Sequence, residues 1–155
     1  MTELPKKTLM LLVKDKQVLL ANKKRGVGKG KIVAVGGGVE VAETILQAAI
    51  RETIEEVTVL PQNPKEVAEL KFKFPYKPEY SMHVFVFMTN SWQGEVAETE
   101  ELKPSWFSFN NLPYEQMWAD APYWLPRVLA GEKLRADFYY AQDQTVDKMN
   151  IVKLL

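Results

Sequence analysis

Apolar and polar side chains alternate along this chain in short stretches. In Leu70-Lys71-Phe72-Lys73-Phe74 the period is two, so Leu70, Phe72 and Phe74 share one face of an extended segment and the lysines share the other. Runs rich in Val, Ile and Phe at 9–13, 18–21, 32–35, 67–74, 82–88 and 105–109 predict strands, with a late strand around 138–140. Between the third and fourth strands, after Gly36-Gly37-Gly38, the residues Leu46, Ala49, Ile50, Ile54 and Val57 recur at helical spacing. This predicts one amphipathic helix with a Leu46/Ile50/Val57 core stripe. A second helical stretch is predicted from near Leu112 or Tyr114 to Leu129, broken or kinked at Pro122 and Pro126. Strands mixed with two helices, one of them inserted between strands, imply an α+β class: a three-layer α/β/α sandwich around a mixed sheet.

The 155 residues fit a single domain spanning 1–155, and no internal repeat or long Pro/Gly/Ser linker divides them. Basic and acidic residues balance at 20 each, so no global field selects a partner. Cysteine is absent and His83 is the single histidine, which excludes disulfides, thiolate nucleophiles and Cys- or His-rich metal sites. Any metal must therefore be held by oxygen. His83 itself, inside a strand pattern, is expected to be a hydrogen-bonded structural histidine, which leaves no Ser/His/Asp catalysis. The apolar run from Thr8 is cut short by Lys14 and Asp15, too early for a signal-peptide core, and no 18-residue apolar stretch exists. A cytoplasmic monomer without a membrane span is expected.

The helix carries the chemistry. Glu52, Glu55 and Glu56 stand at i, i+3 and i+4 and fall on one side, roughly opposite the expected core stripe. From Glu40 to Glu56 there are five acids and only Arg51 to offset them. Like charges this close repel by a few tenths of a kcal/mol, roughly, per exposed pair, and a divalent cation resolves the repulsion. Carboxylate oxygens suit Mg²⁺ or Mn²⁺, and Mg²⁺ so bound completes its shell with water and substrate phosphate. Phosphate chemistry follows, with the metal polarising phosphorus and orienting water while a spare carboxylate acts as base. A plain solvated acidic face is the competing reading for an arbitrary Glu-rich helix.

Spacing removes that competitor. Gly37, Glu43, Arg51-Glu52 and Glu55-Glu56 follow the signature of Gly, five residues, Glu, seven residues, Arg-Glu, two residues, Glu-Glu, and so resemble the Nudix family. Six fixed positions agree by chance on the order of 10⁻⁷ at a given start. Two positions depart: Thr53 replaces an aliphatic residue, so its buried hydroxyl needs a backbone partner, and Thr58 replaces glycine, which removes easy access to positive φ at the helix end. The resemblance implies a loop-helix-loop on a mixed-sheet sandwich. It makes Gly37, Glu52, Glu55, Glu56 and Glu101 the metal site, gives Arg51 the task of orienting a carboxylate, and makes Glu43 its supporting partner.

The likeness extends over nearly the whole chain to one branch, the animal-type MutT homologues that hydrolyse oxidised purine nucleoside triphosphates. Lys23-Lys24-Arg25-Gly26, Glu101 with Lys103-Pro104-Ser105-Trp106-Phe107, Met117-Trp118 with Asp120, Tyr123-Trp124-Leu125-Pro126 and Gln142-Asp143 carry it. By that resemblance Trp118 stacks on a purine, Asp120 hydrogen-bonds it, Phe72 and Phe74 line its pocket and Lys23 meets the phosphates. Val33 stands where the branch has Asn and Ala121 where it has a second Asp, both of which touch the base edge. Each lost hydrogen bond is worth about 0.5 to 1.5 kcal/mol, so the base preference is less determined than the reaction.

The expected function is an Mg²⁺-dependent pyrophosphohydrolase that cleaves purine nucleotides such as 8-oxo-dGTP to monophosphate and pyrophosphate. That is nucleotide-pool sanitation in the service of DNA repair. Another nucleoside-diphosphate-linked substrate (an RNA 5′-triphosphate end, a dinucleoside polyphosphate or a nucleotide sugar) and a non-catalytic nucleotide-binding module stay open as alternatives. No nucleic-acid partner is expected unless it is such an RNA end.

Two weaker signals complete the picture. Nine basic residues and one acid lie between Lys6 and Lys31, mostly solvated lysines on strands and turns. Gly26-Val27-Gly28-Lys29-Gly30-Lys31 fits neither a Walker loop nor a dinucleotide fingerprint and reads as a turn. Among the tryptophans, Trp106 and Trp124 are expected in the core.

Overall fold

The computed structural model describes residues 3–155. Its strands are β1 (Lys6–Lys14), β2 (Gln17–Lys23), β3 (Ile32–Val33), β4 (Val35–Gly38), β5 (Leu60–Pro61), β6 (Lys65–Lys73), β7 (Met82–Thr89), β8 (Trp92–Gln93), β9 (Leu102–Ser108), β10 (Lys133–Tyr140) and β11 (Val146–Leu154); the helices are α1 (Ile45–Val57) and α2 (Ala121–Leu129). The main sheet runs β11-β10-β6-β7-β1-β2-β3, with β4 on β1 and β9 on β2, while β5 and β8 pair separately. The β1/β7 and β10/β6 pairs are parallel and the rest antiparallel, which makes the sheet mixed as expected.

Alternation along β1 builds the layers. Leu9, Leu11 and Val13 join one cluster with Phe72, Phe74, Trp124, Leu125, Val128 and Phe138, on the α2 face. Met10 and Leu12 point the other way and pack with Ala49 and Val57 of α1. One strand with both faces buried thus separates two helical layers. Along the same edge β1 changes partner: Val13 and Lys14 pair with β2, whereas Lys7 to Met10 pair with β4. That split lays the three glycines of β4 beside the second half of α1, against Arg51, Glu52 and Glu56.

Helix α1 begins at Thr44, whose hydroxyl accepts from Gln47 N–H while the Gln47 side chain accepts from Thr44 N–H, a capping box. Its buried side matches the predicted stripe only at Val57. Ala48, Ala49, Thr53, Glu56 and Val57 are buried, whereas Leu46 is 42% and Ile54 44% exposed. The glycine strand comes so near that the inward face takes small side chains and the Glu56 carboxylate, so Glu56 does not lie opposite the core, whereas Glu55 does face outward. Thr53 finds its backbone partner in Ala49 O at 2.7 Å. Thr58 adopts φ 67° without glycine, and its hydroxyl donates to Glu95 O at 2.7 Å.

The second helix is shorter than predicted. A 3₁₀ turn at Pro113-Tyr114-Glu115-Gln116 precedes it, and α2 starts only at Ala121. Pro122 occupies the first turn, where a missing N–H costs nothing, and the helix continues through Pro126 to Leu129. The late strand is longer than predicted and is joined by β11, whose largely exposed polar pattern hid it. His83 sits on β7 as expected, but its Nε2 lacks a hydrogen-bond partner, with Glu69 Oε1 3.6 Å away. Among the described residues no helix is long and apolar enough to cross a membrane.

Candidate active site

Gly36 and Gly37 bring the β4 backbone against α1. Gly36 N–H donates to Glu56 Oε1 at 2.8 Å. A Cβ on Gly37 would sit 2.3 Å from Glu52 Cδ, and one on Gly36 would sit 1.8 Å from Thr8 O. Only glycine leaves room here, so the signature glycine makes space for a carboxylate rather than for a turn.

Arg51 organises the acidic group. Its guanidinium donates to both oxygens of Glu43, Nε to Oε2 at 2.6 Å and Nη2 to Oε1 at 2.9 Å. It also donates to Glu52 Oε1 at 2.9 Å, Glu55 Oε2 at 3.2 Å and Gly38 O at 2.9 Å. The planar fork suits this bidentate task. The hydrogen bond from Arg51, helped by one from Glu40 N–H, holds the Glu43 carboxyl down at about 2.

Glu56 is the opposite case. It is 8% exposed, and burial first, then the charges of Glu52 and Glu101, push its carboxyl up to about 7 against the hydrogen bond from Gly36. Lys23 lowers it again and is the cation on hand. Glu101, at the threshold of β9, is held by Arg25, whose Nε donates to Oε1 at 3.0 Å, and it stays below the usual carboxylate range for that reason.

This donor set fits a hard divalent cation: a buried carboxyl short of positive charge, with two further carboxylates close enough to raise it, all oxygen. Among the described residues no three His, Asp or Glu side chains are already gathered at ligand spacing. Glu55 is turned outward, its side chain 57% exposed.

Across the sheet edge lies the aromatic part. Phe74 stacks on Tyr140 with centroids 4.6 Å apart, and Phe72 on Phe138 at 5.6 Å. Trp118 meets Phe74 and Tyr140 edge-on at 6.2 and 6.1 Å, with Lys31 Nζ 4.8 Å from its ring centroid. Asp120 is buried and its Oδ2 accepts from Trp124 Nε1 at 2.7 Å; Oδ1 accepts from the Tyr140 hydroxyl, which in turn accepts from Asp120 N–H at 3.0 Å. Burial raises the Asp120 carboxyl and these hydrogen bonds resist the rise.

The turn from Lys24 to Lys31 joins the two parts. Trp118 Nε1 lies against Gly28, and at the other end Lys24 N–H donates to Glu101 O at 3.0 Å. Glu52, Glu56, Glu101 and Lys23 therefore form one group, and Phe72, Phe74, Trp118 and Asp120 another. Val33 joins neither: it pairs with Ala21 and packs on the α1 side, away from Trp118. Ala121 is buried at the start of α2.

Sequence reasoning missed Tyr140 and the role of Trp124. The four-residue spacing of Asp120 and Trp124 held a clue to the second; Tyr140 comes from a distant strand and left none.

The NUDIX domain model matches residues 4–128, and the chain belongs to the Nudix family of hydrolases. It is 39% identical over 133 residues to the oxidized purine nucleoside triphosphate hydrolase of Danio rerio, covering 86% of this chain and 85% of that one. To the Mus musculus protein of the same description it is 34% identical over 139 residues, covering 90% and 88%. The crystal structure of a mutator MutT protein from Bacillus halodurans superposes with a TM-score of 0.82 at 27% identity, covering 96% of this chain and 97% of that one.

Proposed function

We propose that this Nudix hydrolase converts oxidised purine nucleoside triphosphates such as 8-oxo-dGTP, with water, into the monophosphate and pyrophosphate. The observation that carries the reading is the joining of two unlike sites by one turn: an acidic cluster around Gly36-Gly37 and an aromatic pocket with a single buried carboxylate. The relatives described as oxidized purine nucleoside triphosphate hydrolases support the same substrate.

Glu52, Glu55, Glu56 and Glu101, with the Gly37 carbonyl, would hold Mg²⁺, or Mn²⁺ in its place; the ion supplies charge neutralisation and a polarised phosphoanhydride. Lys23 adds a positive charge for the phosphate chain. Arg51 acts through others, fixing Glu52 and Glu43. Trp118, half-buried and backed by Phe74, offers aromatic surface to a base, and Asp120, already receiving two donors, would present its remaining lone pairs as acceptors. The setting would be cytoplasmic, where nucleotides are met, and the enzyme would act as a monomer.

Ala121, buried at the start of α2 beside Asp120, favours a second reading on the same chemistry: one polar group fewer at the base edge would admit another nucleoside-diphosphate-linked substrate. A substrate panel with chromatographic separation of the phosphorylated products decides between them. Preferential turnover of oxidised purine triphosphates supports the first reading. Inert oxidised and normal triphosphates beside a cleaved dinucleoside polyphosphate, nucleotide sugar or RNA 5′-triphosphate end refute it.

A further inference from the structure

The loop before β9 does more than carry Glu101. It is stitched to the C-terminal end of α1, where the last carbonyls of any helix lack partners within the helix. Ala97 N–H donates to Val57 O at 3.1 Å, the Thr58 hydroxyl to Glu95 O at 2.7 Å, and the Thr99 hydroxyl to Glu56 O at 2.8 Å. Thr99 alone then turns to the loop itself. Its Oγ1 accepts from Glu101 N–H at 3.3 Å, its N–H donates to Leu102 O at 3.1 Å, and its carbonyl accepts from Lys24 Nζ at 2.7 Å. Glu98 and Glu100 on either side are exposed while Thr99 is half-buried, so the chain aims this one hydroxyl inward.

The Thr99 hydroxyl thus bonds the backbones of Glu56 and Glu101, and the carbonyl of the same residue holds Lys24, next to Lys23. Glu56 belongs to α1, Glu101 to the loop, and Lys24 directly follows β2, so Thr99 ties three segments together. We propose that Thr99 is a positioning residue that sets the separation between the carboxylates of Glu56 and Glu101, and through it the affinity of the site for a divalent cation. The inference rests on reading those two residues as cation ligands. A hydroxyl can do this because it donates and accepts at once, bridging a carbonyl to an N–H. Valine has the same shape and does neither.

A purely structural role would be that of one more helix cap. The Thr58 hydroxyl supplies the control: it makes a stitch of the same kind between the same helix end and loop but touches neither Glu56 nor Glu101. The experiment is a Mn²⁺ titration of the nucleotide-free protein, followed by the electron paramagnetic resonance of the free ion, with kcat and KM measured on the same samples. Thr99→Val is expected to bind Mn²⁺ about three- to tenfold more weakly, the worth of one to two hydrogen bonds, and to lose kcat with KM for the nucleotide little changed. Thr99→Ser should restore both, and Thr58→Ala should bind the ion as the parent does. Thr99→Ala, which needs no room for a second methyl group, is read in parallel should the valine variant not fold.

Parent-like Mn²⁺ binding in the Thr99 variants overturns the proposal. So does equal weakening by Thr58→Ala, or failure of Thr99→Ser to rescue. Glu56→Gln in the same titration separates the two levels. Retained binding there overturns the ligand assignment and this proposal with it; lost binding there beside unaffected Thr99 variants overturns the role of Thr99 alone.

Discussion

A methyl group placed on the Cα of Gly37 would lie 2.3 Å from the carboxyl carbon of Glu52 and 2.4 and 2.6 Å from its two oxygens. The contact is with the end of a flexible side chain, so the fold can yield by moving Glu52. Gly37→Ala is therefore expected to destabilise by only about 1 to 3 kcal/mol but to lower turnover by a factor on the order of 100. Gly38→Ala is the matched control, because its added carbon meets only the flexible Lys7 side chain, Nζ at 3.3 Å and Cδ at 3.9 Å. Thermal melts and steady-state rates of the two variants check this; equal rates would contradict it.

Glu43 gives a pH prediction with a definite sign. Arg51 holds its folded carboxyl at about 2, below the unfolded value of roughly 4.3. The pair's contribution is complete above the unfolded value and is lost as pH falls through the folded one. Glu43→Gln should thus be less stable than the parent near neutrality, and the gap should close between about pH 4.3 and pH 2. Urea unfolding across that range tests it, and a gap constant with pH would argue against the assignment.

Asp120 is expected to serve recognition rather than the reacting phosphorus. Tyr140→Phe removes one of its two side-chain donors, so KM for the preferred nucleotide should rise several-fold with kcat almost unchanged, the mark of lost uniform binding. Asp120→Ala should act on stability as well, since it leaves Trp124 Nε1 and the Tyr140 hydroxyl without their acceptor, at about 1 to 3 kcal/mol each. A fall in kcat without a change in KM for Tyr140→Phe would place Asp120 in the chemistry instead.

The layered sheet and the α1 segment were legible because period-two and period-3.6 patterns report which side of an element is dry. The inward face of α1 is turned from the expected one for a reason internal to the site: of the Leu46/Ile50/Val57 stripe only Val57 is buried, and Ala48, Ala49, Thr53 and Glu56 complete the inward side, where the glycine strand receives Glu56. Hydropathy ranks a Glu as outward and cannot register that Gly36 N–H awaits it. Ile54→Gln should accordingly change stability by no more than about 0.5 kcal/mol, whereas Ala49→Leu, at a site with no exposed surface, should cost about 1 to 3 kcal/mol by overpacking. Chemical denaturation of both variants distinguishes the observed face from the predicted one.

Spacing marked Glu52, Glu55 and Glu56 because all three lie on one helix. It could not show that Arg25 would engage Glu101, that Thr99 would bridge Glu56 and Glu101, or that Tyr140 would reach Asp120, since each contact joins segments distant in sequence. Only the family resemblance places Val33 at the base edge; its side chain packs in the cluster on the α1 side of the sheet.

The most direct test is the release of pyrophosphate from 8-oxo-dGTP by the purified protein and its Glu56→Gln variant, with Mg²⁺ and with a chelator. Turnover that needs the metal and falls by a factor on the order of 1,000 in the variant is the predicted result. Equal turnover under chelation, or in Glu56→Gln, would contradict it.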